Sequence, residues 1–153
     1  MAYAFSPSRR TSIPAPPPKP EGLGLLPPND SQYLADRKIT HTLATESGMQ
    51  CITLPAFVLP QGYNRANSDL LLRLQLGYPD VPPDMWWFDP PIRRADGKII
   101  PATELIEHYL GRSWQRWSRH LASGEWKSGI DGIESYLALI QRELGRSVAS
   151  LAA

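Results

Sequence analysis

The sequence predicts a single α+β domain in which a four-stranded antiparallel meander is covered on one face by helices. In the first half of the domain, apolar residues alternate with polar ones, which is the period of a half-buried strand. Toward the C-terminus the apolar residues recur every three or four positions, as they do on one face of a helix. The loops between the predicted strands are short, and short loops join antiparallel neighbours.

The first 28 residues are predicted to lie outside this domain. They hold eight of the 16 prolines, most of them within residues 14–20. Such a run lacks backbone donors, favours an extended conformation and buries too little apolar surface to offset the entropy of ordering. We therefore divide the chain into a disordered proline-rich tail (1–28), a folded domain (29–147) and a C-terminal tail (148–153). A proline-recognising partner is the one specific role that the composition of the tail suggests.

The first half of the domain is predicted to contain one helix and four strands. Asp30 and Ser31 are helix-capping residues and predict a short helix over residues 32–37. Four strands follow, and the second is interrupted at Pro55 in the manner of an edge strand or a bulge. The predicted strands are residues 39–43, 51–59, 70–76 and 85–88.

After residue 91 the period changes and two helices are predicted. Residues 102–110 form a short helix that ends at Gly111. The stronger pattern has a capping-box-like start at Ser128, an apolar stripe through residues 130–144 and an end at Gly145. This stripe is predicted to cover one face of the sheet, which completes the α+β arrangement.

Composition excludes several classes of protein. The 16 basic and 15 acidic residues give a net charge of +1, which argues against a protein that binds nucleic acid through phosphate contacts. No apolar run approaches the roughly 18 residues of a membrane span, and none follows Arg9 and Arg10 as in a secretory signal, so we predict a cytoplasmic protein. Cys51 is the only cysteine, and His41 and His108 have no partners at metal-ligand spacing. We predict no metal site and no cofactor.

One stretch has a distinctive layout. An apolar strand runs into Tyr78-Pro79, and Pro82-Pro83 follow two residues later, before the next apolar strand. This layout resembles the ubiquitin-conjugating enzymes, in which Tyr-Pro, two variable residues and Pro-Pro precede the active-site region. Trp126, ahead of the long helix, is similar to the tryptophan that lies eight residues after the catalytic cysteine of that family. The segment 112–120 resembles divergent bacterial members that are encoded with ubiquitin-like proteins and activating enzymes.

The resemblance implies a conjugating-enzyme-like fold over roughly residues 30–145 and a set of partners. These partners are a ubiquitin-like protein (Ubl), its activating enzyme and a protein target. The bacterial relatives suggest phage defence or a similar pathway. Two features depart from the family: residues 89–92 replace its His-Pro-Asn triplet, and no cysteine follows Cys51. An insertion is also needed after Pro83, and we assign it to the predicted helix 102–110.

The resemblance implies a serine in the place of the catalytic cysteine. Ser118 lies eight residues before Trp126, so it is the candidate nucleophile, carrying the Ubl as an oxyester. A hydroxyl needs a base, and His120 is the nearest titratable side chain. Arg119, and also Arg116, could stabilise an oxyanion or contact an acidic Ubl surface. Ser113 is a competing hydroxyl in the same segment.

Other interpretations of the same residues stay open. Ser118 could be an ordinary hydroxyl bonded to nearby backbone, and His120 a surface histidine. The protein would then be an inert adaptor that binds a Ubl or the activating enzyme without carrying it covalently. A third interpretation makes the tryptophans stacking platforms for nucleic acid or glycans, although they fit the core equally well. The residues concerned are Trp86, Trp87, Trp114 and Trp117.

Overall fold

The computed structural model describes residues 26–149, so most of the predicted tail (1–28) and the end of the chain lie outside the described residues. The described part contains two helices and six strands. In chain order they are α1 (Pro28–Asp36), β1 (Thr42–Glu46), β2 (Met49–Val58), β3 (Asn67–Leu74), β4 (Trp86–Asp89), β5 (Ile106–Tyr109), β6 (Arg112–Trp117) and α2 (Ile133–Val148).

The strands form one antiparallel sheet in the order β1-β2-β3-β4-β6-β5. Strands β1 to β4 follow one another as a meander, and β2 carries the expected irregularity, a register shift between Leu54 and Phe57. The predicted count of four strands was wrong, because the chain adds the hairpin β5–β6 beyond β4. The α+β class is confirmed.

The hairpin β5–β6 replaces the helix predicted over residues 102–110. Leu110 and Gly111 both have positive φ angles, 54° and 73°, which is the backbone of a tight two-residue turn between antiparallel strands. Gly111 therefore belongs to a hairpin turn and not to the end of a helix. Ser47 and Gly48, with φ angles of 52° and 74°, make the same kind of turn between β1 and β2.

Both helices pack on one face of the sheet. The α2 stripe of Ile133, Leu137, Ile140 and Leu144 is buried in the same cluster as Leu34 of α1. Each fully buried aliphatic side chain contributes about 1.5–3 kcal/mol. From the sheet this core receives Ile52, Leu70, Leu72, Leu74, Trp86, Phe88 and Trp117. The opposite face carries a smaller cluster built around Cys51, Leu71, Trp87 and Trp114.

The long helix begins and ends later than the sequence predicts. Ile130 is 79 % exposed and precedes the helix, whose N-cap is Gly132. The Ser135 hydroxyl accepts the Gly132 N–H at 3.0 Å and so closes the first turn. At the other end Gly145 lies inside the helix, which continues to Val148.

Asp30, which we predicted to cap the first helix, lies inside α1 and caps α2 instead. Its side chain is buried: Oδ1 accepts the Ile133 N–H at 2.9 Å, and Oδ2 accepts the Tyr78 hydroxyl at 2.7 Å. A Cβ added at Gly132 would lie 2.5 Å from Asp30 Oδ1, which explains a glycine at this N-cap. We call Asp30, Tyr78 and Ile133 the Asp30 clamp. It joins α1, the Tyr-Pro segment and α2.

Candidate functional site

The three residues predicted for the site, Ser118, Arg119 and His120, lie where the chain leaves β6 and turns toward α2. The backbone holds this segment on both sides: Ser118 N–H donates to Ala102 O at 3.0 Å, and Met85 N–H donates to Arg119 O at 3.2 Å. The segment therefore continues the pairing of the sheet for a short distance beyond β6. This pairing fixes the backbone from which the three side chains project.

His120 pairs with a carboxylate that the sequence analysis did not single out. Its Nδ1 lies 2.6 Å from Asp84 Oδ1, and the two side chains are 62 % and 40 % exposed. When Nδ1 carries the proton and donates it to Asp84, Nε2 is left free to accept a proton from another group. The pair thus has the arrangement of an oriented general base.

Register along the sheet could have pointed to Asp84. Trp86 pairs with Trp117 across β4 and β6, so the residues just before Trp86 come opposite those just after Trp117. Asp84 also follows Pro82-Pro83 directly, and the fixed φ angles of two prolines restrict where the carboxylate can point. The signal needs the strand pairing, which the sequence alone did not provide.

The Ser118 hydroxyl does not contact His120. It donates to the Met85 Sδ at 3.8 Å, and Met85 packs against the smaller cluster around Cys51, on the face of the sheet opposite to the helices. The structure therefore places the candidate nucleophile and the candidate base on one short segment, without a hydrogen bond between them.

Arg119 is held by several acceptors. Its Nε donates to Glu143 Oε1 of α2 at 2.8 Å, and its Nη1 donates to Pro101 O at 2.9 Å and to Ser118 O at 3.0 Å. Burial acts to raise the pKa of Glu143, but hydrogen bonds from Arg146 and Arg119 prevail and hold it below its ordinary value. The guanidinium therefore ties the segment to α2 and keeps a positive charge beside the Ser118 carbonyl.

A cavity of about 650 Å³ lies between this segment and α2. Arg119 and His120 line it, whereas the Ser118 hydroxyl points to Met85. Its wall is partly aromatic and partly charged, so it suits a ligand with both apolar and polar groups. Other lining residues are Trp126, Tyr136, Leu139, Arg142 and Arg146.

The landmarks that carried the resemblance meet beside this cavity. Trp126 Nε1 donates to Pro79 O at 2.8 Å, and its ring centroid lies 6.2 Å from that of Tyr78. The Tyr78–Pro79 peptide bond is cis. Burial, together with the hydrogen bond to Asp30, raises the pKa of the Tyr78 hydroxyl, which therefore stays protonated as a donor. The Tyr-Pro segment and Trp126 thus form one packed unit at the edge of the site.

Ser113, the competing hydroxyl, lies elsewhere. It sits on β6 opposite His108 of β5, and its Oγ is 3.1 Å from His108 Nδ1. Both residues are exposed on the hairpin. Arg116, the second candidate cation, pairs with Glu107 of the same hairpin at 3.6 Å. Neither Ser113 nor Arg116 joins the cavity that Arg119 and His120 line.

The tryptophans proposed as stacking platforms are core residues. Trp86, Trp87, Trp114 and Trp117 are at most 2 % exposed, so their faces pack against protein and the stacking interpretation was wrong. Cys51 is also fully buried, and burial raises the pKa of its thiol. A protonated, inaccessible thiol is a poor nucleophile.

Among residues 26–149, no group of three or more His, Cys, Asp or Glu side chains could hold a metal ion. In the same range no helix is both long and apolar enough to cross a membrane.

Comparison with known proteins identifies one family. The model of prokaryotic E2 family E (Prok-E2_E) matches residues 26–147, which is most of the chain. No curated protein and no solved structure matches. The matched range includes the Tyr-Pro segment, Ser118, Trp126 and nearly all of α2.

Proposed function

This chain belongs to prokaryotic E2 family E, and from that membership we propose that it is a conjugating enzyme for a ubiquitin-like protein. In this proposal it accepts the C-terminus of a Ubl from an activating enzyme as an oxyester on Ser118 and passes it to an amine of a protein target. The pathway is bacterial and cytoplasmic, and we propose phage defence as its setting because the divergent bacterial relatives suggest it.

The chemistry of the first step is an acyl transfer. The Ser118 oxygen attacks the carbonyl carbon by which the Ubl is joined to the activating enzyme, and that enzyme's own nucleophile leaves. The Ser118 proton passes to His120 and then to the leaving group. In the second step an amine of the target attacks the oxyester carbonyl and the bond to the Ser118 oxygen breaks. The proton that the amine loses is transferred to the Ser118 oxygen, which restores the hydroxyl.

The proposal rests on one observation: His120, on the segment that bears Ser118, has its Nδ1 2.6 Å from Asp84 Oδ1. A hydroxyl attacks slowly without a base, and a positioned base contributes roughly 10²–10⁴-fold to such a step. Asp84 would hold the ring of His120 with Nε2 free. A change of the Ser118 side-chain rotamer away from Met85 would be needed to bring its hydroxyl to that nitrogen.

Arg119 is assigned the electrostatic part of the reaction. Its guanidinium, fixed by Glu143, donates to the Ser118 backbone carbonyl and would come beside the acyl group once the Ser118 side chain turns away from Met85. A fixed positive charge there stabilises the negative charge that develops on the carbonyl oxygen during attack. Since an oxyester is less activated toward amines than a thioester, this stabilisation offsets part of the loss of the thiol.

A second candidate function is an inert adaptor, and the orientation of the Ser118 hydroxyl toward Met85 favours it. In that case the cavity of about 650 Å³ would bind the Ubl or the activating enzyme without a covalent bond.

The experiment that separates the two functions is an adduct assay by intact mass. The purified protein is mixed with the Ubl and activating enzyme of its own organism and ATP. We expect an adduct that hydroxide releases and thiols do not, lost in Ser118→Ala and retained in the matched control Ser113→Ala. An adduct that survives Ser118→Ala contradicts the assignment of Ser118. A stable complex without any adduct, from an activating enzyme that is charged with Ubl, supports the adaptor.

A further inference from the structure

The segment between β4 and β6 forms a second groove, separate from the cavity beside His120. We call it the insertion groove. Its volume is about 510 Å³, and its floor includes the buried residues Ile92, Ile100 and Gln115. Gln115 holds this floor in place, because its Oε1 accepts the Ile92 N–H at 2.8 Å and its Nε2 donates to Ile92 O at 3.0 Å. The groove is therefore a built feature of the fold.

The rim of the insertion groove exposes aliphatic side chains. Ile99 is 87 % exposed and Ile106 is 49 % exposed, and both line the groove. Leu105, next to Ile106, is 50 % exposed. Exposed aliphatic residues that lie together at the mouth of a groove are typical of a surface that binds another protein.

One side of the insertion groove is an open sheet edge. Strand β5 is the last strand of the sheet. In an antiparallel hairpin, residue pairs that exchange backbone hydrogen bonds alternate with pairs that do not. The two-residue turn makes Tyr109 and Arg112 a bonded pair, and Arg116 N–H donates to Leu105 O at 2.8 Å. The backbone N–H and C=O groups of Ile106 and His108 therefore point away from β6, toward the open edge.

The charges of the groove favour an anionic ligand. Arg93 and Lys98 line it as cations whose side chains have no ion-pair partner among the described residues, and Glu104 is the one carboxylate in its lining. Arg94 also lines the groove, but it is engaged with Asp96 and with Ser147 O. Lys98 also attracts Asp96 electrostatically, so Arg93 and part of the charge of Lys98 remain against one anion in the lining, which attracts a carboxylate.

We propose that the insertion groove binds an extended segment of a partner protein that carries carboxylates and aliphatic side chains on one face. The segment adds as a strand to β5 through the backbone groups of Ile106 and His108. Every second side chain of the added strand faces the groove; among these, the aliphatic ones cover Ile99 and Ile106 and the carboxylates face Arg93 and Lys98. Strand addition of this kind takes affinity from the backbone and specificity from alternate side chains. The proposal does not depend on Ser118 or on acyl transfer.

The test uses two fluorescein-labelled peptides, Asp-Thr-Ile-Thr-Glu-Thr-Val and its charge-reversed counterpart Lys-Thr-Ile-Thr-Lys-Thr-Val, with the full-length protein; in an extended peptide the charged and aliphatic side chains then lie on one face. Fluorescence anisotropy is expected to show binding of the acidic peptide at least tenfold tighter than that of the basic one. Lys98→Glu and Ile106→Asp should each weaken binding of the acidic peptide at least tenfold. The control Leu43→Asp, on β1 at the opposite edge of the sheet, should leave it unchanged. Equal affinities for the two peptides, or loss of binding only in the control, overturn the proposal.

Amide hydrogen exchange by NMR tests the strand geometry in the wild-type protein, independently of any variant. Adding the acidic peptide should slow exchange at Ile106 and His108 and leave Glu107 unchanged, because Glu107 is already bonded to β6. Protection confined to β1 or to the cavity beside His120 would contradict the proposal. Self-association through β5 that the peptide does not displace would also contradict the proposal, because a second copy of the chain would then occupy the groove. Sedimentation equilibrium at several protein concentrations detects such self-association.

Discussion

Two carboxylates near the same helix have opposite surroundings. Asp30 is 5 % exposed and accepts hydrogen bonds from Ile133 and Tyr78, residues 103 and 48 positions away. Asp84 has a side chain that is 40 % exposed and pairs with His120. The Asp30 clamp uses the buried carboxylate to join three parts of the chain. The Asp84–His120 pair is left within reach of a ligand.

Burial gives the two carboxylates different roles. Removing a buried acceptor leaves its donors without a hydrogen-bond partner, and each unpaired buried donor lowers the free energy of unfolding. An exposed pair gains little stability, because water competes for both partners. We therefore expect substitutions at the Asp30 clamp to change the free energy of unfolding, and substitutions at Asp84 to change acyl transfer.

Loss of the Asp30 side chain should destabilise the protein more than any other substitution considered. Asp30→Ala removes the acceptor of the Ile133 N–H and of the Tyr78 hydroxyl, and it should lower the free energy of unfolding by about 3 kcal/mol. Urea denaturation measures this change. Asp30→Asn, which keeps an oxygen acceptor of the same shape, is the matched control and should lose clearly less. A loss below about 1 kcal/mol for Asp30→Ala would remove the distinction between the two carboxylates.

The next effect is that of Asp84 on the rate of acyl transfer to Ser118. Asp84→Asn should slow adduct formation at least about tenfold, because the ring of His120 loses the acceptor that orients it. It should change the free energy of unfolding by less than about 1 kcal/mol. Asp80→Asn is the control, since Asp80 bonds Ser128 and does not contact His120.

A merely structural role for Asp84 would not alter the tautomer of His120. Nitrogen NMR of the imidazole should show Nδ1 protonated in the neutral ring of the wild type and a mixture of tautomers in Asp84→Asn. An unchanged tautomer together with an unchanged rate of adduct formation would show that Asp84 does not position the base.

The smallest effect concerns the ion pairs that hold Arg119. The pKa of Glu143 lies below its ordinary value of 4.5 in the folded protein, so its ion pairs stabilise the fold fully above that value and lose their contribution as the pH falls through the folded pKa. Wild type should exceed Glu143→Gln in stability by about 1 kcal/mol or less at neutral pH.

Urea titrations of both proteins at several pH values measure the difference between them. It should shrink as the pH falls below 4.5. A difference that grows on acidification would contradict the ion-pair assignment.

The sequence analysis succeeded where one element carries its own pattern. The apolar run from Leu70, which alternates from Leu72 onward, predicted β3, and the stripe from Ile133 to Leu144 predicted the body of α2. It failed where the deciding contact is distant. Gly111 looked like the end of a helix because a hairpin turn and a helix end both use glycine at positive φ. Asp30 has the local pattern of a cap for α1, but its hydrogen bond to Ile133 crosses 103 positions.

The position of the candidate site stays a prediction, and its geometry could not be read from the sequence. Counting from Trp126 led to the segment 118–120, and the structure places Arg119 and His120 of that segment on a cavity. Asp84 could not be found in this way, because its contact with His120 depends on the pairing of β4 with β6. The contact of Ser118 with Met85 likewise depends on side-chain packing that no spacing records.

Exchanging the proposed nucleophile for a thiol tests directly whether Ser118 carries the acyl group. Cys51 is the only cysteine, so in the variant Cys51→Ala, Ser118→Cys any thiol chemistry must occur at position 118. With Ubl, activating enzyme and ATP, we predict an adduct with the same mass increase over the free protein as in the wild type, released by dithiothreitol instead of resisting it. An adduct that still resists dithiothreitol would place the acyl group on another residue and contradict the assignment of Ser118.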